Sequence, residues 1–137
     1  MVIVILGILA TVAMPAYHNI VTEAQQSACR SSLCGLREAI SIFNTNSIVN
    51  TGNNVWPDLD TISTVGVVIQ FSIPENPFQD EANAPDSIVE GFTRGVIVGT
   101  RGGWAYKPST GEIWPNTSTT IPGGGCAGPT DIDENLW

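Results

Sequence analysis

Sixteen residues without a charged side chain, MVIVILGILATVAMPA, lead the sequence, and the first charge is Glu23. Thr11 is the only polar side chain in this run, and Gly7 and Pro15 are its only helix-weakening residues. The pattern predicts a helix that is apolar on every side. At about 1.5 Å per residue it spans roughly 24 Å, slightly short of a hydrocarbon core of about 30 Å. A secretory signal would begin with basic residues and end in a small-residue cleavage site, and neither is seen here. A soluble helix this apolar would need protein all round it. Burial in a membrane or in an assembly is therefore expected. Pro15 removes one internal hydrogen bond and should kink or locally melt the helix. Gly7 weakens the same stretch.

The helical pattern continues with a different character. Between Tyr17 and Phe43 there is no proline, and only Gly35 is a poor helix former. Cys29, Leu33, Leu36, Ile40 and Phe43 follow one another at spacings of 4, 3, 4 and 3, which places them on one stripe. Gln25, Gln26, Arg30, Arg37 and Glu38 fall mostly off its centre. One helix of about forty residues is predicted, apolar all round up to about residue 20 and amphipathic beyond.

Asn44 to Asn54 reads as a polar, turn-prone link. Trp56-Pro57 and then Leu59, Ile62 and Val65 resume packed structure. VGVVIQF (65–71) fits a strand or a buried loop. The proline-rich, acidic IPENPFQDEANAPD (73–86) reads as loop. Strands are expected over 93–100 and 103–107, with a turn at 108–111 and a return strand at 112–114. Trp104 and Tyr106 should share one face of this hairpin, with Ile113 packing across from them. Their expected role is core packing against the helix stripe; an aromatic binding patch is the alternative.

Charge divides the chain in the same way. Residues 1–45 hold two basic and two acidic side chains, whereas residues 46–137 hold three basic and eleven acidic ones, so the whole net charge of -8 lies in the second part. An acidic head on an uncharged stem opposes contact with a phosphate backbone, and no nucleic-acid partner is expected. With 42% hydrophobic and 13% charged residues the chain is not generally disordered. No Ser/His/Asp set, phosphate loop or carboxylate pair in a defined context is present, so an enzyme is not expected.

VIVILGILATVAMPAY, with its glycine at 7, its proline at 15 and the aromatic Tyr17 close behind, followed by the amphipathic QQSACRSSLCGLREAISIF, resembles the N-terminal helix of type IV pilins and type II secretion pseudopilins. IPENPF and GGWAYKPSTGEIWPN bear a weaker similarity to the heads of pseudopilin-like proteins. The resemblance implies an α+β fold: a long N-terminal helix, apolar stem plus amphipathic half, packed on a small antiparallel sheet. Residues 1–21 would form the membrane and filament-core helix and 22–137 the globular head. It implies a homo-oligomer, a helical filament whose core is lined by Val2, Val4, Leu6, Gly7, Leu9, Val12 and Pro15. The subunit would sit in the inner membrane as a single-pass protein before pilus or secretion assembly machinery extracts it. It would end in an extracellular fimbrium serving adhesion, motility or DNA uptake, or in a periplasmic pseudopilus as a major pseudopilin. The family's basic leader, processing site, N-methylated phenylalanine and glutamate are absent ahead of the apolar run; judged by the glycine and proline, Met1 falls several residues inside the expected mature chain. A monomeric membrane-tethered binding domain, using the hairpin aromatics, is the alternative from another class.

A head outside the membrane permits disulfides. Cys29 and Cys34 lie roughly 140° apart around the helix and cannot pair. Cys126, in the tail GGGCAG, should join one of them. Since Cys29 sits in the core stripe, Cys34–Cys126 is the expected pair, contributing about 3–5 kcal/mol. Three further features each have a plain reading and a functional one. His18 is read as an interface or headgroup-level residue. Asp131, Asp133 and Glu134 form a solvated tail, or a calcium site of the kind the resemblance implies, and no other cofactor is expected. Asn116-Thr117-Ser118 is a glycosylation sequon.

Overall fold

The structure, a computed structural model, describes residues 2–117, apart from the side chains of residue 6 and residues 8–19. It is an α+β arrangement of a long N-terminal helix and a small three-stranded mixed sheet. Helix α1 runs from Val2 to Thr51 without a break. Of the kink or local melting expected at Pro15, the melting does not occur, and the backbone stays helical through Gly7 and Pro15. The predicted stripe is buried: Cys29, Leu33, Leu36 and Ile40 are at most 2% exposed, and Phe43 packs against them. Burying each such side chain contributes roughly 1.5–3 kcal/mol, so the stripe fixes which face of the helix the head covers.

The helix outlasts the link predicted at 44–54. The reason lies in side chains that satisfy backbone groups locally. Asn44 is buried and donates to Asn54 Oδ1 and, at 3.1 Å, to the Val55 carbonyl. Ser41, Thr45 and Thr51 each donate a hydroxyl to the carbonyl four residues earlier. Gly52 then ends the helix, with φ +73° and its amide on Ile48 O at 2.9 Å. That left-handed cap is one a glycine adopts without strain. After Pro57 comes a short helix α2, Leu59–Ser63, capped by Asp58, whose carboxylate accepts from Thr61 N at 2.8 Å. Thr61's hydroxyl and amide together hold the Asp58 carboxyl below its ordinary range.

Strands β1 (Ile88–Glu90), β2 (Trp104–Lys107) and β3 (Glu112–Pro115) pair in that order. β1 runs parallel to β2, and β2 antiparallel to β3, so the sheet is mixed rather than purely antiparallel. The hairpin is as predicted: Tyr106 pairs with Ile113, and both join Trp104 in the helix-facing core. Ala105 and Trp114 lie on the opposite face, where Gly91 approaches so closely that a Cβ would sit 2.5 Å from the Trp114 ring.

Residues 93–100 cover that second face as a loop, against the strand expected there. Their backbone finds side-chain partners instead of a ladder. Val98 N donates to Asn116 Oδ1 at 2.7 Å, Asn116 Nδ2 donates back to Val98 O at 3.0 Å, and Trp114 Nε1 donates to Val96 O at 3.1 Å. Gly95 and Gly99, at φ +83° and +64°, bend the chain out of extended geometry. Residues 65–71 form a loop that buries Val68 and Ile69.

Tyr106 is fully buried and donates its hydroxyl to Pro57 O at 2.8 Å. Burial, with the Asp58 charge adding to it, pushes the phenol from 10.0 up to about 12. The folded head therefore holds this proton more tightly than the unfolded chain. The resulting stability is complete below the unfolded value and is lost as pH rises toward 12. An alkaline absorbance titration should show one phenol ionising late, and Tyr106→Phe should remove that phase. Ionisation of every phenol near 10 in a head that stays folded would contradict this burial.

Candidate assembly surface

Two surfaces result from this packing, one inside the head and one left open. Inside, the aromatics considered for a binding patch are sealed: Trp104, Tyr106 and Trp114 are 0% exposed. Trp104 Nε1 donates to Pro74 O at 2.7 Å, which pins the proline-rich loop to the hairpin. They are core, and no ligand reaches their ring faces.

The open surface lies on α1 ahead of the head. The buried stripe starts at Gln26 and Cys29. Before it, Val2, Ile3, Val4 and Ile5 are 71, 84, 64 and 58% exposed, and Ile20 and Val21 are exposed too. Gly7 faces open space, with nothing within 4 Å of where its Cβ would be. Four consecutive large apolar side chains around a helix present every azimuth, so a single flat partner cannot cover them all. The side chains of Leu6, Leu9, Val12, Pro15 and His18 lie outside the described residues. Among the described residues no helix is long and apolar enough to cross a membrane.

The head adds exposed apolar residues on two loops: Val65, Val67 and Phe71 on one, Phe92, Val96 and Ile97 on the other. Phe71 ends the 65–71 run expected as a strand or a buried loop, yet it is exposed, as is Phe92. A short apolar run looks the same in a pattern whether its side chains face in or out, so nothing in the spacing marked them.

Cys29 is the disulfide-bonded cysteine, fully buried, whereas Cys34 is an exposed free thiol. The expected bridge from Cys34 is therefore corrected; Cys126 lies outside the described residues. A half-cystine sulfur is itself apolar, so a core position suits a bonded cysteine as well as a free one. Asn116 is 2% exposed, and its Nδ2 is turned inward onto Val98 O, Arg101 O and Gly102 O. An attached glycan would require that nitrogen at the surface, so the sequon is corrected to a structural asparagine of the folded head. Asp131, Asp133 and Glu134 lie outside the described residues, and among those described no cluster of three or more metal-ligating side chains forms.

A third buried asparagine, Asn76, is 1% exposed, and no spacing in the sequence marks it. Asn76 Nδ2 donates to Gly103 O at 2.8 Å and Thr117 Oγ1 at 3.2 Å, and its Oδ1 accepts from Phe78 N at 3.0 Å. The Cys29 sulfur sits 3.8 Å from the same oxygen. Asn76 thereby ties the helix face, the proline-rich loop and the hairpin at one point. Comparison of this chain with protein-family models, with curated proteins and with solved structures finds no match.

Proposed function

We propose that this chain is a structural subunit of a type IV pilus-like filament, polymerising through the apolar leading part of α1. One observation carries the reading: Val2 to Ile5 stand 58–84% exposed on a helix whose head-facing stripe begins only some twenty residues later. Leaving such side chains in water forgoes roughly 1.5–3 kcal/mol apiece, and surrounding them with like helices recovers it. A helix apolar on all sides suits a bundle of identical neighbours, where every azimuth meets another copy. Repeated contacts of one surface with a different one on the next copy do not close, and a filament follows. The resemblance of VIVILGILATVAMPAY to the pilin helix supports the same role, with the inner membrane as the subunit's place before assembly. Surface pilus and secretion pseudopilus are two uses of that one filament. The sealed hairpin aromatics speak against the tethered-binder alternative.

The test is electron microscopy of the purified full chain after slow detergent removal. Thin fibres with this chain as their repeating unit are expected. A field of single particles at every concentration would end the proposal.

A further inference from the structure

A cavity of about 240 Å³ opens between α1 and the β2–β3 turn, lined by Arg37, Ser41, Trp56, Arg94 and Glu112. Two of the chain's five basic residues meet there, in a protein of net charge -8. Arg37 is half-buried and donates through Nη2 to Ile113 O at 3.3 Å. Burial, and next the nearby Arg94 charge, lower its affinity for its proton, so the two guanidiniums bear on each other electrostatically. Arg94 is exposed and makes further contacts of its own; its charge, not an empty valence, is what the cavity uses. Glu112 supplies one carboxylate, whose Oε2 accepts from Thr110 Oγ1 at 2.8 Å. Among the lining residues, then, two positive charges face one negative. The Trp56 ring closes a wall by lying over Gly111, where a Cβ would be 2.2 Å away.

The complementary charge lies elsewhere on the same head. Residues 75–90 contain Glu75, Asp80, Glu81, Asp86 and Glu90, all exposed, and no Lys or Arg. This segment ends on β1, whereas the cavity adjoins β3, and these strands are the two opposite edges of the sheet. We propose that the cavity receives a carboxylate from the 75–90 segment of a second copy of this chain. The contact rests on the polymer reading given above and extends it to the heads. It joins unlike surfaces, so each copy offers one of each and the contact repeats without closing. It also gives acidic heads that would otherwise repel one point of attraction and a fixed register.

The test converts the contact into a covalent bond. Arg37→Lys keeps the charge and adds an amine that a zero-length carbodiimide joins to a touching carboxylate. Full-length protein carrying it, mixed in equal parts with and without ¹⁵N, is concentrated, cross-linked and mapped by mass spectrometry. Links from position 37 of one isotopic form to residues 75–90 of the other are expected, at about ten times the yield of links from Lys107. Arg94→Lys, on the exposed loop, repeats the measurement should the helix substitution unfold the head. Without cross-linker, Arg37→Gln with Arg94→Gln should weaken association about tenfold. Copies that associate while position 37 links only within its own chain, or elsewhere on its neighbour, overturn the contact. Links to 75–90 from short oligomers without fibres uphold it and remove the filament reading. Absence of any association overturns both.

Discussion

Val4→Asp is expected to abolish fibre formation while leaving the head folded. Val4 is 64% exposed, on the stretch proposed to be surrounded by other copies. An aspartate at the centre of an apolar helical environment costs about 2.5–3.5 kcal/mol on an insertion scale, and more where no partner charge is within reach. In a polymer the penalty recurs at every subunit, so even its lower bound displaces the assembly equilibrium by more than tenfold per contact. The head core begins far along the helix, at Gln26 and Cys29, and does not touch this position. Thermal unfolding, followed through the buried Trp104 and Trp114, should therefore be unchanged, and Val4→Leu should assemble normally. Undiminished fibre yield from the aspartate variant would remove the leading helix from the interface.

The second large effect concerns the head itself. Gly103→Ala should destabilise it by at least about 3 kcal/mol, beyond the usual range for an added methyl group. An added Cβ would lie 1.8 Å from the Pro85 carbonyl oxygen and 3.0 Å from Asn76 Cβ. The obstacle is backbone, which cannot rotate aside as a side chain does. The same residue donates its amide to Ser87 O at 3.0 Å, and its carbonyl accepts from Asn76 Nδ2 at 2.8 Å and Asn116 N at 2.9 Å. Relief of the clash therefore disrupts the start of β2 and the Asn76 junction together. Gly35→Ala is the matching control. It lies within α1 with nothing near its Cβ position, and alanine there should stabilise by about 0.5–1 kcal/mol. Equal melting temperatures for the two variants would mean that β2 and the Pro85 loop do not approach in this way.

The helix stripe was legible because Cys29, Leu33, Leu36, Ile40 and Phe43 repeat at helical spacing over several turns, and no other element satisfies that pattern. The hairpin was legible because alternating aromatics flank a turn ending in Gly111, whose φ of +72° the glycine allows. The rest depended on partners distant in sequence. Residues 93–100 have strand-like composition, but Asn116 and Trp114 take up their backbone groups, and no local pattern encodes that competition. β1 is three residues long and pairs in parallel with a strand many residues later, so its direction was beyond reach of periodicity. The asparagines between 44 and 54 suggested a turn; hydroxyl back-bonds and the burial of Asn44 extended the helix through them. For the candidate sites, the apolar lead was plain in the residues. The arginine cavity was not, because Arg37 and Arg94 meet only after β3 packs on α1.

Sedimentation velocity of the intact chain in detergent-free buffer, across a hundredfold range of concentration, tests most directly whether the leading helix is a self-association surface. The predicted result is a shift from small species to very large ones as concentration rises, absent in the Val4→Asp variant run alongside. One unchanging boundary at the mass of a single chain, for both proteins, would contradict it.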